Sequence, residues 1–377
     1  MLNFQGLSSS EFHAVIGKIT TSRLPFHKRH NKILVTNKLD MGCLGYLGII
    51  SSAAPHNSFL YPHMVGNVLM SSLSRLHTGD IVAMNKYGEI NMLWEAESPH
   101  NVLFLTEACN CRCKMCPQPP KPHNSEHYET ALTILDLLKG EKCEAIGITG
   151  GEPTLYQNQF LHVLRRCIDE HSESNIDVLT NAALFADETY VREVAALTPR
   201  NVVFCVSLHS DIDTIHDEIV GRKGSYTETQ LGIYNLAKYN ITLEIRFVIN
   251  KLNHTRIFEF AEHMYRYFPF CCNYAFMGLE MCGLAEENMM DVYIPPDEYK
   301  TELHKAILSL NKKGLPGSIY NIPLCFCDAD VHTFARQSIS SWKNFFPSAC
   351  DSCSAKECCC GFFSTSKDST VPKVIPL

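Results

Sequence analysis

The sequence predicts an α/β chain: a partial (β/α)6 barrel preceded by a small β-rich N-terminal domain and followed by a cysteine-rich C-terminal segment. Three observations predict it. From Asn101 onward, short apolar runs alternate with longer helical patterns at intervals of about thirty residues, the mark of successive βα units. Residues 1–98 instead read as short strands and turns. Eighteen cysteines are present, four of them within 109–116 and five within 350–360.

The N-terminal region contains "GDIVAMNKYGEINMLWEAE", two strand-like runs joined by a turn that includes Asn85 and Gly88, which predicts a hairpin. The candidate barrel strands are "VLFLT" (102–106), "EAIGITG" (144–150), "IDVLTN" (176–181), "VVFCVSL" (202–208), "TLEIRFVI" (242–249) and "NYAFMGLE" (273–280). Between the second and third, Phe160, Val163, Leu164, Cys167 and Ile168 recur at helical spacing and predict a helix with one apolar face, which makes Cys167 a core residue. After the barrel, "PPDEYKTELHKAILSLNKKG" opens on two prolines and Asp297 and closes on Gly314, as a connecting helix should. The expected divisions are 1–98 for the β-rich domain, 99–285 for the barrel, 286–324 for a connecting helix and strand, 325–365 for the cysteine-rich segment, and 366–377 for a mobile tail without periodicity.

Composition narrows the function. The longest apolar stretch, "CLGYLGIISSAA", is too short to span a bilayer, so no membrane segment is expected. The opening "MLNFQGLSSSEF" has no basic or apolar signal region, which predicts a cytoplasmic location with free or metal-bound thiols. A net charge of −7 supplies no basic field for phosphates and weighs against a nucleic-acid partner.

The first cysteine group carries the chemistry. Cys109, Cys113 and Cys116 are spaced C-x3-C-x2-C, with Cys111 between the first two. Zinc knuckles usually pair two C-x2-C units far apart in sequence. Three thiolates on one loop can instead hold three irons of a cubane [4Fe-4S] cluster and leave the fourth iron open. Cys111 as a fourth ligand, closing the site, is the structural alternative.

C-x3-C-x2-C after the first strand of a βα barrel resembles the defining motif of the radical S-adenosylmethionine (SAM) superfamily, and "ITGGEPT" (148–154) resembles its Gly-Gly-Glu-Pro motif. Further matches are "LTN" ending at Asn181, "VSLHSD" with Ser207 and His209, and Arg246. The resemblance covers about 101–280 and implies a radical SAM barrel. It implies that Cys109, Cys113 and Cys116 bind the cluster, that SAM chelates the open iron, and that Gly150, Gly151 and Glu152 meet the methionyl ammonium. It further implies that Asn181, Ser207 and His209 lie at the SAM site, with Ser207 and His209 towards the ribose, and that Arg246 or Arg222 pairs with the SAM carboxylate. One-electron reduction of SAM would yield methionine and a 5′-deoxyadenosyl radical that abstracts a substrate hydrogen. Met115 stands where the family usually has an aromatic residue, and is expected to pack on adenine.

At the other end, Cys350-x2-Cys353-x5-Cys359 resembles the auxiliary-cluster segment of SPASM and twitch domains, with Cys325 or Cys327 as a remote ligand and Cys358 and Cys360 adjacent. The ligands expected are Cys325, Cys350, Cys353 and Cys359, holding a second, auxiliary [4Fe-4S] cluster; a zinc knuckle on the same thiols is the alternative. The ordered set "HNVLFLTEACNCRCKMCPQPP", "VSLHSDIDTIHDEIVG", "FMGLEMCGLA", "YNIPLC", "SISSWKNFFPSACDSC" and "GFF" resembles the C-type radical SAM maturase of the His-Xaa-Ser system over about 97–365. This resemblance implies oxidative modification, such as cross-linking, of a ribosomally made peptide or protein precursor. The expected partners are that precursor, an external electron donor such as flavodoxin or ferredoxin, and a second radical SAM maturase. The competing classes are a radical SAM RNA-modifying enzyme and an electron-relay or scaffold partner of another maturase.

Overall fold

A computed structural model describes residues 2–8, 11–55, 61, 63–340, 343–366 and 373–377. The chain forms two compact units. The first gathers residues 1–103, 126–146 and 169–174; the second gathers 104–125, 147–168 and 175–377.

Among the described residues the first unit is built on eight short strands: β1 (Asn3–Gln5), β2 (Leu7–Ser8), β3 (Val15–Thr20), β4 (Lys32–Thr36), β5 (Gly48–Ser51), β6 (Met64–Gly66), β7 (Ile81–Met84) and β8 (Glu89–Trp94). Their order is β1-β8-β7-β3-β4-β5-β6-β2. The two ends of this order, β1 and β2, are consecutive in the chain, so one N-terminal segment pairs with β8 on one side and β6 on the other. The sheet therefore closes on itself through residues 3–8. Ile33, Ile50, Val65, Val82, Met84 and Ile90 fill its core, each contributing roughly 1.5–3 kcal/mol by leaving water. The expected hairpin is β7–β8, and Gly88 N–H donates to Asn85 O at 3.0 Å in its turn.

The other sheet is parallel and consists of β9 (His100–Phe104), β10 (Ala145–Thr149), β11 (Asn175–Thr180), β12 (Val202–Ser207), β13 (Thr242–Val248), β14 (Asn273–Met277), β15 (Gly317–Tyr320) and β16 (Ala335–Arg336), neighbours in chain order, with β11 to β16 in the second unit. Sequential order with helical crossovers curls such a sheet into a half-barrel. The alternation of the strands is plain in β13, where Leu243, Ile245 and Phe247 are buried against the helices and Arg246 and Val248 lie on the other face. Phe247 packs on Phe260 of the helix Ile257–Tyr267 at 4.4 Å between ring centroids. Phe160, Val163, Leu164 and Cys167 form the buried face of the helix Gln157–Glu170, and Ile168 is half-buried.

Beyond the six expected strands, the helix Pro296–Lys312 returns the chain to β15, which pairs with β14, and β16 then pairs with β15. The sheet thus continues two strands past the expected barrel end. The following segment has little regular structure: a two-residue ladder joins β17 (Asn344–Phe345) to β18 (Phe362–Phe363). Half of the expected mobile tail, residues 367–372, falls outside the described residues. Within the described part, Leu377 O accepts from Ser354 N–H at 3.0 Å.

Candidate active site

Functional loops of a βα barrel gather at the carboxyl ends of its strands. Here the cysteine loop follows β9, the Gly150-Gly151-Glu152 turn follows β10, Asn181 follows β11, and Ser207 ends β12 in register with Arg246 of β13. His209 lies two residues beyond.

Glu152 organises this rim. Its side chain is 1% exposed, and its two oxygens accept from Thr154 N–H, Thr154 Oγ1, Thr180 Oγ1 and Asn181 N–H at 2.6–3.1 Å. Burial pushes the Glu152 carboxyl upward while those donors pull it back. The carboxyl thereby ties the end of β10 to the end of β11. Gly151 N–H and Glu152 N–H donate to Thr106 O and Ala108 O, which seats the turn against the start of the cysteine loop.

The loop itself is anchored on several sides. Arg112 N–H and Lys114 N–H donate to Val220 O and Ile219 O at the end of the helix Asp213–Val220. Leu284 N–H donates to Cys116 O, and Asn288 Nδ2 donates to Lys114 O at 3.0 Å. The loop after β14 therefore clamps the cysteine loop, a role sequence reading missed: Leu284 lies in the "FMGLEMCGLA" stretch but acts through its backbone, and Asn288 lies outside any motif. The turn residue Asn250 was missed as well; its Nδ2 donates to Met115 Sδ at 3.5 Å. Met115 is buried in an apolar cluster with Ile219, Met281, Ala285 and Val292.

Cys109, Cys113 and Cys116 are partly buried on this one loop, and burial pushes the Cys113 and Cys116 thiols above their ordinary range. Cys111 is more deeply buried; its Sγ lies 3.8 Å from Ser225 Oγ and 3.7 Å from Asn181 Nδ2. Arg222 bonds the Glu228 carboxylate through Nη2, whereas its Nη1 is buried without a hydrogen-bond partner. Arg246 Nε donates to Glu244 Oε1 at 2.6 Å, so that guanidinium already has an anion. His209 is 3% exposed, accepts Val248 N–H at Nδ1, and stacks on His216 at 5.9 Å. Burial first, then the His216 charge, lowers the pKa of His209 to about 3, so its ring is neutral.

Cys325, Cys350, Cys353 and Cys359 line one cavity, beside Phe346. Hydrogen bonding from the Cys360 thiol, aided by the Gly361 and Leu324 amides, brings Cys359 down to about 6 against the opposing effect of burial. Cys327 is buried outside that lining, Cys360 packs with Ile339 and Phe363, and Cys358 is exposed. All eighteen cysteines are free thiols. Among the described residues no three His, Cys, Asp or Glu side chains converge as the ligands of a single metal ion would.

Both sites fit iron–sulfur chemistry. The rim offers three thiols on one anchored loop and an orphaned guanidinium nitrogen suited to a carboxylate. The C-terminal cavity offers four thiols, enough to satisfy every iron of a cubane from protein alone.

Residues 103–264 match the radical SAM superfamily. The chain is 29% identical over 168 residues to an uncharacterized protein of Methanocaldococcus jannaschii, covering 44% of this chain and 58% of that protein. It is 29% identical over 163 residues to the sporulation killing factor maturation protein SkfB of Bacillus subtilis, covering 42% and 38%. The chain spans about half the length of the curated relatives it matches. Among solved structures, Streptococcus suis SuiB bound to S-adenosylmethionine aligns with 58% of this chain and 50% of its own at a TM-score of 0.49 and 15% identity. The cysteine loop, the Gly-Gly-Glu turn and the polar rim of β11 to β13 all fall within the matched span, and residues 103–264 form a radical SAM superfamily domain.

Proposed function

We propose that the chain is a radical SAM enzyme that oxidatively modifies, by cross-linking or a related change, a ribosomally made peptide or protein precursor of the His-Xaa-Ser system, as a C-type maturase. The observation that carries the enzymatic reading is the anchored loop of Cys109, Cys113 and Cys116 facing a rim with an unpaired Arg222 nitrogen, inside the matched family span. The peptide substrate is supported by the likeness to SkfB, whose name describes a maturation protein, and by the C-terminal sequence signature.

When bound, the cluster and SAM supply hydrogen-atom abstraction from an unactivated C–H bond. The chain's residues do the rest. Cys109, Cys113 and Cys116 hold the cluster, and Arg222 Nη1 takes the SAM carboxylate, a contact Arg246 can make only with its nitrogens other than Nε. Glu152 holds the Gly150-Gly151 turn that would meet the methionyl ammonium, Asn181 would lie at the SAM site, and Ser207 and His209 would border the ribose. Met115, packed behind the loop, keeps that side dry. Cys325, Cys350, Cys353 and Cys359 would hold an auxiliary [4Fe-4S] cluster, a group that would supply an electron acceptor for the oxidation. A flavodoxin or ferredoxin supplies the reducing electron, and a second radical SAM maturase acts on the same precursor in the cytoplasm. No helix among the described residues is long and apolar enough to cross a membrane.

The test is anaerobic reconstitution followed by reduction with SAM and a His-Xaa-Ser precursor. The expected result is 5′-deoxyadenosine together with a precursor that has lost hydrogen mass. No 5′-deoxyadenosine from a fully loaded protein leaves only the electron-relay reading. Release of 5′-deoxyadenosine that RNA stimulates and the precursor does not transfers the substrate to nucleic acid, against the net charge of −7.

A further inference from the structure

The backbone from Arg112 to Pro117, which carries Cys113 and Cys116, is pinched between two glycines from different parts of the chain. Gly221 ends the helix Asp213–Val220 with φ +65°, and a Cβ built on it would lie 2.4 Å from Arg112 O. Gly283, in the loop after β14, has φ +59°, and a Cβ there would lie 2.5 Å from Pro117 O and 2.7 Å from Cys116 O. Real Cβ atoms do not approach oxygen that closely, so any side chain at either position must push the cysteine loop away.

Hydrogen bonds on each flank depend on the same close approach. On the Gly221 side, Arg112 N–H reaches Val220 O at 3.0 Å and Lys114 N–H reaches Ile219 O at 2.8 Å. On the Gly283 side, Leu284 N–H reaches Cys116 O at 2.9 Å. Displacing the loop by the fraction of an ångström that a methyl group demands would lengthen all of these bonds, and such bonds weaken steeply with misalignment.

We propose that Gly221 and Gly283 are positioning residues for the first cysteine loop, fixing residues 112–117 in the shape that presents Cys113 and Cys116 before any cluster is loaded. The inference rests on the reading of those two thiols as cluster ligands. Its discriminating control is built into the chain. Gly314 has φ +73° but nothing within 4 Å of its Cβ position, so Gly314→Ala carries the backbone strain without the collision. Gly221→Asn is the reverse case, because asparagine tolerates this backbone region but still adds a Cβ.

The experiment compares Gly221→Ala, Gly221→Asn, Gly283→Ala and Gly314→Ala by two measurements. The first is amide hydrogen exchange at Arg112 and Lys114 in the metal-free chain. The second is iron content, with the SAM-induced change in the cluster's electron paramagnetic resonance signal, after anaerobic reconstitution. We expect Gly314→Ala to match the wild type in both. In the Gly221 variants the Arg112 and Lys114 amides should exchange about tenfold faster or more, as local opening predicts. All three loop variants should lose the SAM-responsive signal while keeping the iron of the C-terminal cavity. Full loading with unchanged exchange in the loop variants overturns the proposal, as does an equal defect in Gly314→Ala. Should Gly221→Ala fail to fold, Gly221→Asn and Gly283→Ala carry the same decision. If the ligand reading itself is wrong, wild type and Cys113→Ala will show identical iron content and signal, whereas the exchange comparison still decides whether the glycines hold the loop.

Discussion

The two cysteine groups are built in opposite ways. The first occupies eight consecutive residues and is tied to its surroundings by backbone bonds to Val220, Ile219 and Leu284 and by the packing of Met115. The second gathers Cys325, Cys350, Cys353 and Cys359 from three stretches of chain whose regular structure is limited to short 3-10 turns and the two-residue ladder of β17 and β18. In the first group the fold dictates where the thiols stand, and a cluster would enter a prepared cradle. In the second, the chain is held by apolar contacts such as Phe326 edge-on to Phe362 at 6.1 Å and by isolated polar ties such as Lys343 Nζ to Glu280 Oε2 at 3.1 Å. There a bound metal group would be part of what holds the segment folded, because ligand binding to the native state alone adds to its stability.

The largest effect that this contrast predicts is at Cys113. Cys113→Ala should abolish both the SAM-dependent spectroscopic change and 5′-deoxyadenosine release, since an open cubane needs three thiolates and the remaining thiol of the loop, Cys111, is turned towards Ser225 Oγ and Asn181 Nδ2. The barrel should remain folded, which circular dichroism would show. Next, replacing Cys350 and Cys353 together with alanine should eliminate modified precursor while leaving some uncoupled SAM cleavage. Wild type should then carry about twice the iron of this double variant, one cubane against two. Equal iron in the two proteins, or zinc in the wild type, would make the C-terminal group a structural knuckle.

Metal removal should separate the two regions without any mutation. After chelation, amides in 344–363 are expected to lose protection from hydrogen exchange, whereas those of β11 to β14 should keep theirs, because the half-barrel rests on side chains such as Phe204, Phe247 and Phe276 that are buried without metal. Equal loss in both regions would break the comparison.

How legible each region was follows from the same contrast. The six core strands, the helix Gln157–Glu170 and the first cysteine motif could be read directly, because periodicity and motif spacing are local properties of the sequence. The choice among Cys325, Cys327, Cys358 and Cys360 could not, since it depends on which loops meet. Cys360 faces Ile339 and Phe363, and Cys325 faces the cavity, for reasons of packing that spacing does not encode. The closure of the first unit by residues 3–8 was hidden likewise, as strands this short carry almost no period. Asn288 and Leu284 act on the cysteine loop through single bonds from a distant segment, a signal absent from any one stretch.

Acid should act on the half-barrel through its two buried histidines. Burial, and for His209 also the neighbouring imidazole, brings the pKa of His209 to about 3 and of His216 to about 4. Folded-state values below the ordinary one mean that the unfolded chain binds protons that the folded chain refuses, so stability falls as pH drops below about 6.5. The loss approaches about 1.4 kcal/mol per pH unit for each ring until its folded pKa is reached. Denaturant unfolding of the metal-free chain between pH 7 and 5 would measure it. His216→Asn should flatten the slope by up to half, and an unchanged slope would place the proton uptake elsewhere.

The smallest expected effect is at Cys111, and it sharpens the distinction between a cradle and a cage. Its thiol is buried against Ser225 Oγ and Asn181 Nδ2, a side of the loop that already has its own polar partners. Asn181 Nδ2 would keep its bond to Asn110 Oδ1 at 2.7 Å if the sulfur were lost. Cys111→Ala therefore removes one small buried group and the weak contacts to Ser225 Oγ and Asn181 Nδ2, a cost of about 1–2 kcal/mol in stability. Iron content and 5′-deoxyadenosine release should stay near wild type, because the thiol serves packing and the neighbouring cysteines serve the metal. A Cys111→Ala protein that loses its first cluster would show instead that four thiols close the site, that no iron is left open for SAM, and that the cysteine loop is as structural as the C-terminal one.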